Sequence, residues 1–136
     1  MQRASRAAHI PSDAALRKWA RAAAKSGSVT VRYVGEAEGR RLNREFRGRD
    51  YATNVLSFPY GRSPLAGDIV ICAPVVAREA RALGKALRAH HAHLLVHGLL
   101  HLRGYDHERR ADAARMERRE RGILARLGFD DPYADG

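Results

Sequence analysis

The run His97-Gly98-Leu99-Leu100-His101-Leu102-Arg103-Gly104-Tyr105-Asp106-His107 constrains this chain more than any other stretch. Its first half reads as an apolar helix carrying two histidines four residues apart, which puts both imidazoles on one face. Gly104 ends that helix, because glycine takes the left-handed conformation that stops helices and turns the chain back. His107 follows the turn. Two histidines on a helix and a third returned by a glycine form a metal-ligand pattern.

His93 extends the ladder to i, i+4, i+8, but it would lie about 12 Å from His101 along a straight helix. Metal–nitrogen bonds of about 2.1 Å do not span that gap. The ligand set expected from the residues is therefore His97, His101 and His107, with one Zn2+ per chain. Three imidazoles leave the fourth tetrahedral position to water, the arrangement of a catalytic zinc, and such a water has its pKa drawn toward about 7. The residue after His97 is Gly98, where helical zinc proteases carry a general-base Glu, so peptidase chemistry lacks its best motif. Asp106 has two readings, a carboxylate that orients an imidazole or the cap of a tight turn.

The chain has 136 residues, enough for one domain of about 100–200 residues and no second catalytic unit. We expect a single domain over 1–136, with 1–10 a basic N-terminal tail. Lys+Arg number 25 against 15 Asp+Glu, a formal charge of +10, and a surface so basic attracts polyanions. Nearly all the cations are Arg, whose planar fork matches phosphate oxygens. Nucleic acid leads the expected partners. The single cysteine, Cys72, excludes an internal disulfide and a cysteine-built zinc site and suits a reducing compartment. No signal-peptide pattern and no run of about 18 apolar residues is found, so the expected location is the cytoplasm, with no membrane partner.

Hydrophobic periodicity predicts five helices and short strands. Ser12 is an N-cap candidate for a first helix to about Lys25, with Leu16, Trp19, Ala20 and Ala23 on one face. Val29, Val31 and Tyr33 alternate as a strand, and a second helix runs from Glu36 to Phe46, closed by Arg47-Gly48. Asn54–Phe58 reads as a strand stopped by Pro59, Gly61 to Gly67 as a loop, and Asp68–Cys72 as a buried strand able to pair with it. Helices follow from Pro74 to Gly84, from Ala86 to Leu102, and from Glu108 to Leu127. The last is dominated by Arg and Glu and reads as a solvated amphipathic helix to which no chemistry is assigned. The expected fold class is α+β, with a small mixed sheet of three to four strands, about five flanking helices and a zincin-like metal helix.

His97-Gly-x-Leu-His101-Leu-x-Gly-Tyr-Asp-His107 resembles the signature of the YbeY family of bacterial rRNA-maturation endoribonucleases. Phe46-Arg47-Gly48-Arg49-Asp50, Thr53 through Pro59, Gly67 through Ile71 and Leu127-Gly128-Phe129 resemble that family's other blocks in the same order. The resemblance covers roughly 12–133. It implies a metal-dependent endoribonuclease preferring single-stranded RNA, acting at the 16S rRNA 3′ end and in ribosome quality control, with zinc on His97, His101 and His107. It also assigns a functional arginine to Arg47, so that the catalytic set is Arg47, His97, His101 and His107. A guanidinium there suits a phosphate and the charge that develops during cleavage.

Implied partners are single-stranded or precursor rRNA and ribosome or small-subunit assembly proteins, with a monomer favoured. The family begins with a β-strand, whereas 1–10 carry a poor strand pattern. Open alternatives are the attacking group, water or the substrate's own 2′-hydroxyl, and the general base, Asp68, Asp106 or neither. The competing function is a ribosome-associated assembly factor with a structural zinc and little hydrolytic activity.

Overall fold

The computed structural model of the protein describes residues 2–3, 10–105 and 109–134. The elements in chain order are β1 (Gln2–Arg3), α1 (Asp13–Ala23), β2 (Ser28–Val34), α2 (Glu36–Arg47), β3 (Val55–Arg62), β4 (Leu65–Cys72), α3 (Ala73–Leu83), α4 (Leu87–Leu102) and α5 (Arg110–Arg126). The strands form one mixed sheet in the order β1-β2-β4-β3. β1 and β4 run parallel to β2, while β3 and β4 form an antiparallel hairpin. This is a small α+β domain, as the periodicities predict.

Two sequence expectations need correction. The strand expected to stop at Pro59 runs on to Arg62, and the expected loop is only the tip of the β3–β4 hairpin. β3 is an edge strand, where a proline lacking N–H does least harm to the ladder, and the register shifts between Pro59 and Gly61. The N-terminal segment read as a tail contributes a two-residue parallel strand, Gln2 opposite Arg32 and Arg3 opposite Tyr33.

α4 is the centre of the molecule. It packs against α1, α3, α5, β3 and β4, and a helix covered on so many sides must be apolar nearly all round. Accordingly Ala92, Leu94, Leu95, Val96, Leu99, Leu100 and Leu102 are buried. They pack with Leu16 and Trp19 of α1, Ile69 and Ile71 of β4, and Met116, Ile123 and Leu124 of α5. α4 lies on the sheet at Gly98, where a Cβ would stand 3.3 Å from Ile69 Cδ1, Ile69 Cγ2 and Ser57 Oγ. The position a zinc protease gives to Glu thus faces two strands with no room for a carboxylate.

The end of α4 follows its sequence. Gly104 has φ 101°, its N–H bonds to the His101 carbonyl at 3.0 Å, and the Tyr105 N–H bonds to the Leu100 carbonyl at 3.0 Å. That pair of bonds satisfies carbonyls a helix end leaves open.

Candidate metal centre and phosphate cleft

His97 and His101 emerge on the partly exposed face of α4, with ring centroids 5.4 Å apart and nearly perpendicular planes. They line a cleft of about 540 Å³ together with Arg47, Asn54, Ser57 and Phe58. Three of the four residues expected to act together, Arg47 of α2 with His97 and His101 of α4, therefore line one cleft. Asp106 and His107 lie outside the described residues.

Arg47 is placed by the end of α2 and the chain that follows. Asn43, fully buried, donates its amide to the Tyr51 carbonyl at 2.7 Å. Arg40 grips Asp50 through two bonds of 2.8 and 2.9 Å. These contacts fold the 48–52 connection back against the helix, so that Arg47 and the first residues of β3 share the cleft. Among the described residues Arg47 makes no ion pair, whereas Arg32, Arg40, Arg41, Arg44 and Arg78 each face a carboxylate.

Behind the histidines stands a residue to which sequence analysis assigned no chemistry. Glu120 of α5 is completely buried. Its Oε1 accepts from His97 Nδ1 at 2.5 Å and its Oε2 from His93 Nε2 at 3.0 Å, and the Tyr133 hydroxyl donates to the same Oε2. Burial pushes the Glu120 carboxyl up, but the hydrogen bonds from His93, His97 and Tyr133 outweigh it and bring the group down to about 2. Burial and the Glu120 carboxylate hold the Tyr133 phenol above its ordinary value, so it stays a donor.

The reading of α5 as merely solvated is thus corrected: Met116, Glu120 and Ile123 fall at i, i+4 and i+7 on its buried stripe. A lone acid within an apolar stripe was the signal available. The C-terminal segment holds the arrangement closed, with Arg121 on Asp131 at 3.1 Å and over the Tyr133 ring.

One group among the described residues has the proximity of a metal site. Ligand atoms of His93, His97 and Glu120 all lie within 4.8 Å of one another, and two imidazoles and a carboxylate suit one Zn2+ per chain. His97 belongs both to this group and to the cleft. With Nδ1–H donated to Glu120, its Nε2 is the nitrogen that carries a lone pair, the tautomer a carboxylate imposes on a ligating histidine. Two rings bound about 2.1 Å from a common ion are compatible with the separation of His97 and His101. The donor set therefore fits zinc. Asp68, a candidate base, lies outside the cleft and accepts the Tyr60 hydroxyl at 2.6 Å.

The other histidines of α4 have different partners. His91 meets the Tyr33 hydroxyl at 3.0 Å, and His90 meets Glu79 at 3.0 Å, with Glu79 also holding Asn54 at 3.0 Å.

A mixed sheet carrying a central histidine helix, with an arginine and two of its histidines in one cleft, defines a metal-dependent hydrolase of small α+β architecture. The comparisons give the family. The model of the endoribonuclease YbeY family matches residues 5–128, and the chain belongs to that family. It is 59% identical over 129 residues to the endoribonuclease YbeY of Aromatoleum aromaticum, covering 93% of this chain and 84% of that protein. To the endoribonuclease YbeY of Pseudomonas entomophila it is 54% identical over 145 residues, covering 99% and 92%. The solution structure of TM1509 from Thermotoga maritima is similar with a TM-score of 0.57 and 26% identity, covering 90% of this chain and 88% of that one. Among the described residues no helix is long and apolar enough to cross a membrane.

Proposed function

We propose that this chain is a zinc-dependent endoribonuclease that cleaves single-stranded and precursor rRNA, including the 16S rRNA 3′ end, in ribosome maturation and quality control. Its place is the cytoplasm, its form a monomer, and its partners the rRNA and small-subunit assembly proteins. The observation that carries this reading is the shared cleft of Arg47, His97 and His101. Of the two ligand sets that include His97, we favour His97, His101 and His107. His93 Nε2 is already engaged by Glu120 and Tyr133, and His93 does not line the cleft that contains Arg47.

Zinc, when bound, supplies a Lewis acid that activates water and polarises a phosphoryl oxygen. The chain's own residues do the rest. The Arg47 guanidinium clamps the scissile phosphate and stabilises the charge that grows on its oxygens. Glu120 orients His97 and fixes its tautomer, while Gly98 lets α4 press on the sheet so that both histidines open onto β3. The single strand lies along the start of β3 and the residue before it, where Ser57 and Asn54 line the cleft.

The test is cleavage of a labelled single-stranded RNA by protein as isolated, after chelation, and after zinc is restored. Loss on chelation with recovery on zinc is expected, and cleavage that survives chelation would overturn the reading. The competing assembly-factor role has one observation in its favour. The Glu120 network ties α4, α5 and the C-terminal segment together, as a structural metal would. Unfolding on chelation without any prior RNA cleavage would favour it.

A further inference from the structure

Phe46 is 63% exposed and Tyr60 70% exposed, unusual for rings of this size on so polar a surface. Phe46 neighbours Arg47 in sequence and stands edge-on to Phe58, with centroids 5.3 Å apart. The two phenylalanines belong to two hollows at once. On one side they line the cleft that holds Arg47, His97 and His101. On the other they wall a second hollow of about 500 Å³, whose remaining lining includes Arg32, Tyr60 and Asp68. Arg32 is held by Glu38, and the Tyr60 hydroxyl donates to Asp68 at 2.6 Å. The second hollow therefore combines an aromatic wall with a carboxylate and a phenol fixed in place.

Resting on the endoribonuclease reading, we propose that this hollow is a nucleobase subsite, in which the base next to the phosphate held by Arg47 stacks on Phe46 and turns its edge to Asp68 and Tyr60. An aromatic face takes any base by stacking. A carboxylate accepts from an exocyclic amine, which adenine, cytosine and guanine carry and uracil does not, and it opposes the uracil carbonyl that takes the amine's place. The hollow thus favours amino-bearing bases over uracil. It also supplies a physical reason for single-strand preference, because a base in a duplex is stacked and paired and cannot enter. RNA is favoured over a protein partner because the hollow continues directly from the phosphate cleft through the shared Phe46 and Phe58.

The experiment is fluorescence anisotropy of the full-length zinc-loaded protein with labelled oligoadenylate, oligocytidylate and oligouridylate of about a dozen nucleotides. The adenine and cytosine oligomers should bind about tenfold more tightly than the uracil oligomer. Phe46→Ala should weaken all three by about tenfold, and Asp68→Asn should narrow the gap between bases. Phe46→Trp should restore binding, and its indole fluorescence should be quenched as the oligomer is added, a signal that a merely structural role for Phe46 does not produce. Phe46 is exposed, so these variants leave the core intact.

Wild-type affinity for all three oligomers in folded Phe46→Ala, or no quenching in Phe46→Trp, would overturn the proposal while leaving RNA cleavage by the wild type standing. Loss of a ribosomal-protein contact in Phe46→Ala with RNA affinity unchanged would also overturn it. Failure of the wild type to cleave or bind any RNA would bring down the endoribonuclease reading first.

Discussion

The two ends of α4 use histidine for different purposes. Toward the N-terminal end, His90 and His91 are buried and each meets a residue of another element through one ring nitrogen, Glu79 of α3 or Tyr33 of β2. About two and three turns on, His97 and His101 are only partly buried and open onto the cleft with Arg47. His93 stands between the two groups, touching Glu120 but not the cleft. One helix thus carries buried imidazoles where it is sealed by its neighbours and, on the function proposed above, metal-binding ones where the sheet edge leaves it open. The chemistry is set by what covers each turn rather than by residue type.

The sharpest way to break this contrast is to remove one histidine from each region. His101→Ala should abolish RNA cleavage and bound zinc, whereas His93→Ala should retain the metal and most of the activity, as read by metal analysis of the purified variants beside their cleavage rates. If His93→Ala instead empties the site and His101→Ala does not, the ion sits among His93, His97 and Glu120, and the division between the two ends is drawn in the wrong place. Arg47→Ala comes next. It should lower kcat by about 10²–10³-fold, the cost of one charge-stabilising donor, while zinc content stays at the wild-type level. Loss of zinc in this variant would make Arg47 structural.

Glu120→Gln tests the link between the regions. A carboxylate that only orients His97 should cost about 10–100-fold in zinc affinity when neutralised, measured by competition with a chelator of known affinity. A Glu120 that itself ligates the ion should behave like His101→Ala and lose it altogether. The buried amide must still meet two imidazoles and the Tyr133 hydroxyl, so a drop in thermal stability is expected in either case.

The metal helix and its glycine stop were legible because they depend on local rules: the helical period aligns His97 with His101, and Gly104 takes the positive φ its position demands. Arg47 entered the candidate site only through the family resemblance, since an arginine at a helix C-terminus has an ordinary role beside the helix dipole. Glu120 was missed because composition hid it. α5 is so rich in Arg and Glu that one more acid looks solvated, and only its place in the stripe of Met116 and Ile123 marks it as buried. β3 was cut short because Pro59 stops a central strand but not an edge strand, and edge position belongs to topology rather than to sequence. Asp68 was a reasonable base on chemistry alone, yet it lines the second hollow with Tyr60 and not the cleft of Arg47, His97 and His101.

The smallest expected effect concerns the sealed end of the helix. Burial, with the neighbouring His90 adding to it, lowers the His91 imidazole from 6.5 to about 4, so the folded protein keeps it neutral where the unfolded chain protonates it. The unfolded state then binds the extra proton between these values. Stability from this group is intact above about pH 6.5 and is lost progressively as the pH falls toward 4, where the deficit reaches about 3 kcal/mol. His91→Gln removes the titration while keeping an acceptor for the Tyr33 hydroxyl. Urea unfolding of wild type and variant in the same buffers, from pH 7 to pH 4, should show a shallower acid dependence in the variant. Contributions from the cleft histidines and the metal are common to both proteins and cancel in the difference. Parallel stability curves would mean that His91 binds its proton equally well in the folded and the unfolded chain, and the distinction between sealed and open histidines would then rest on the cleft alone.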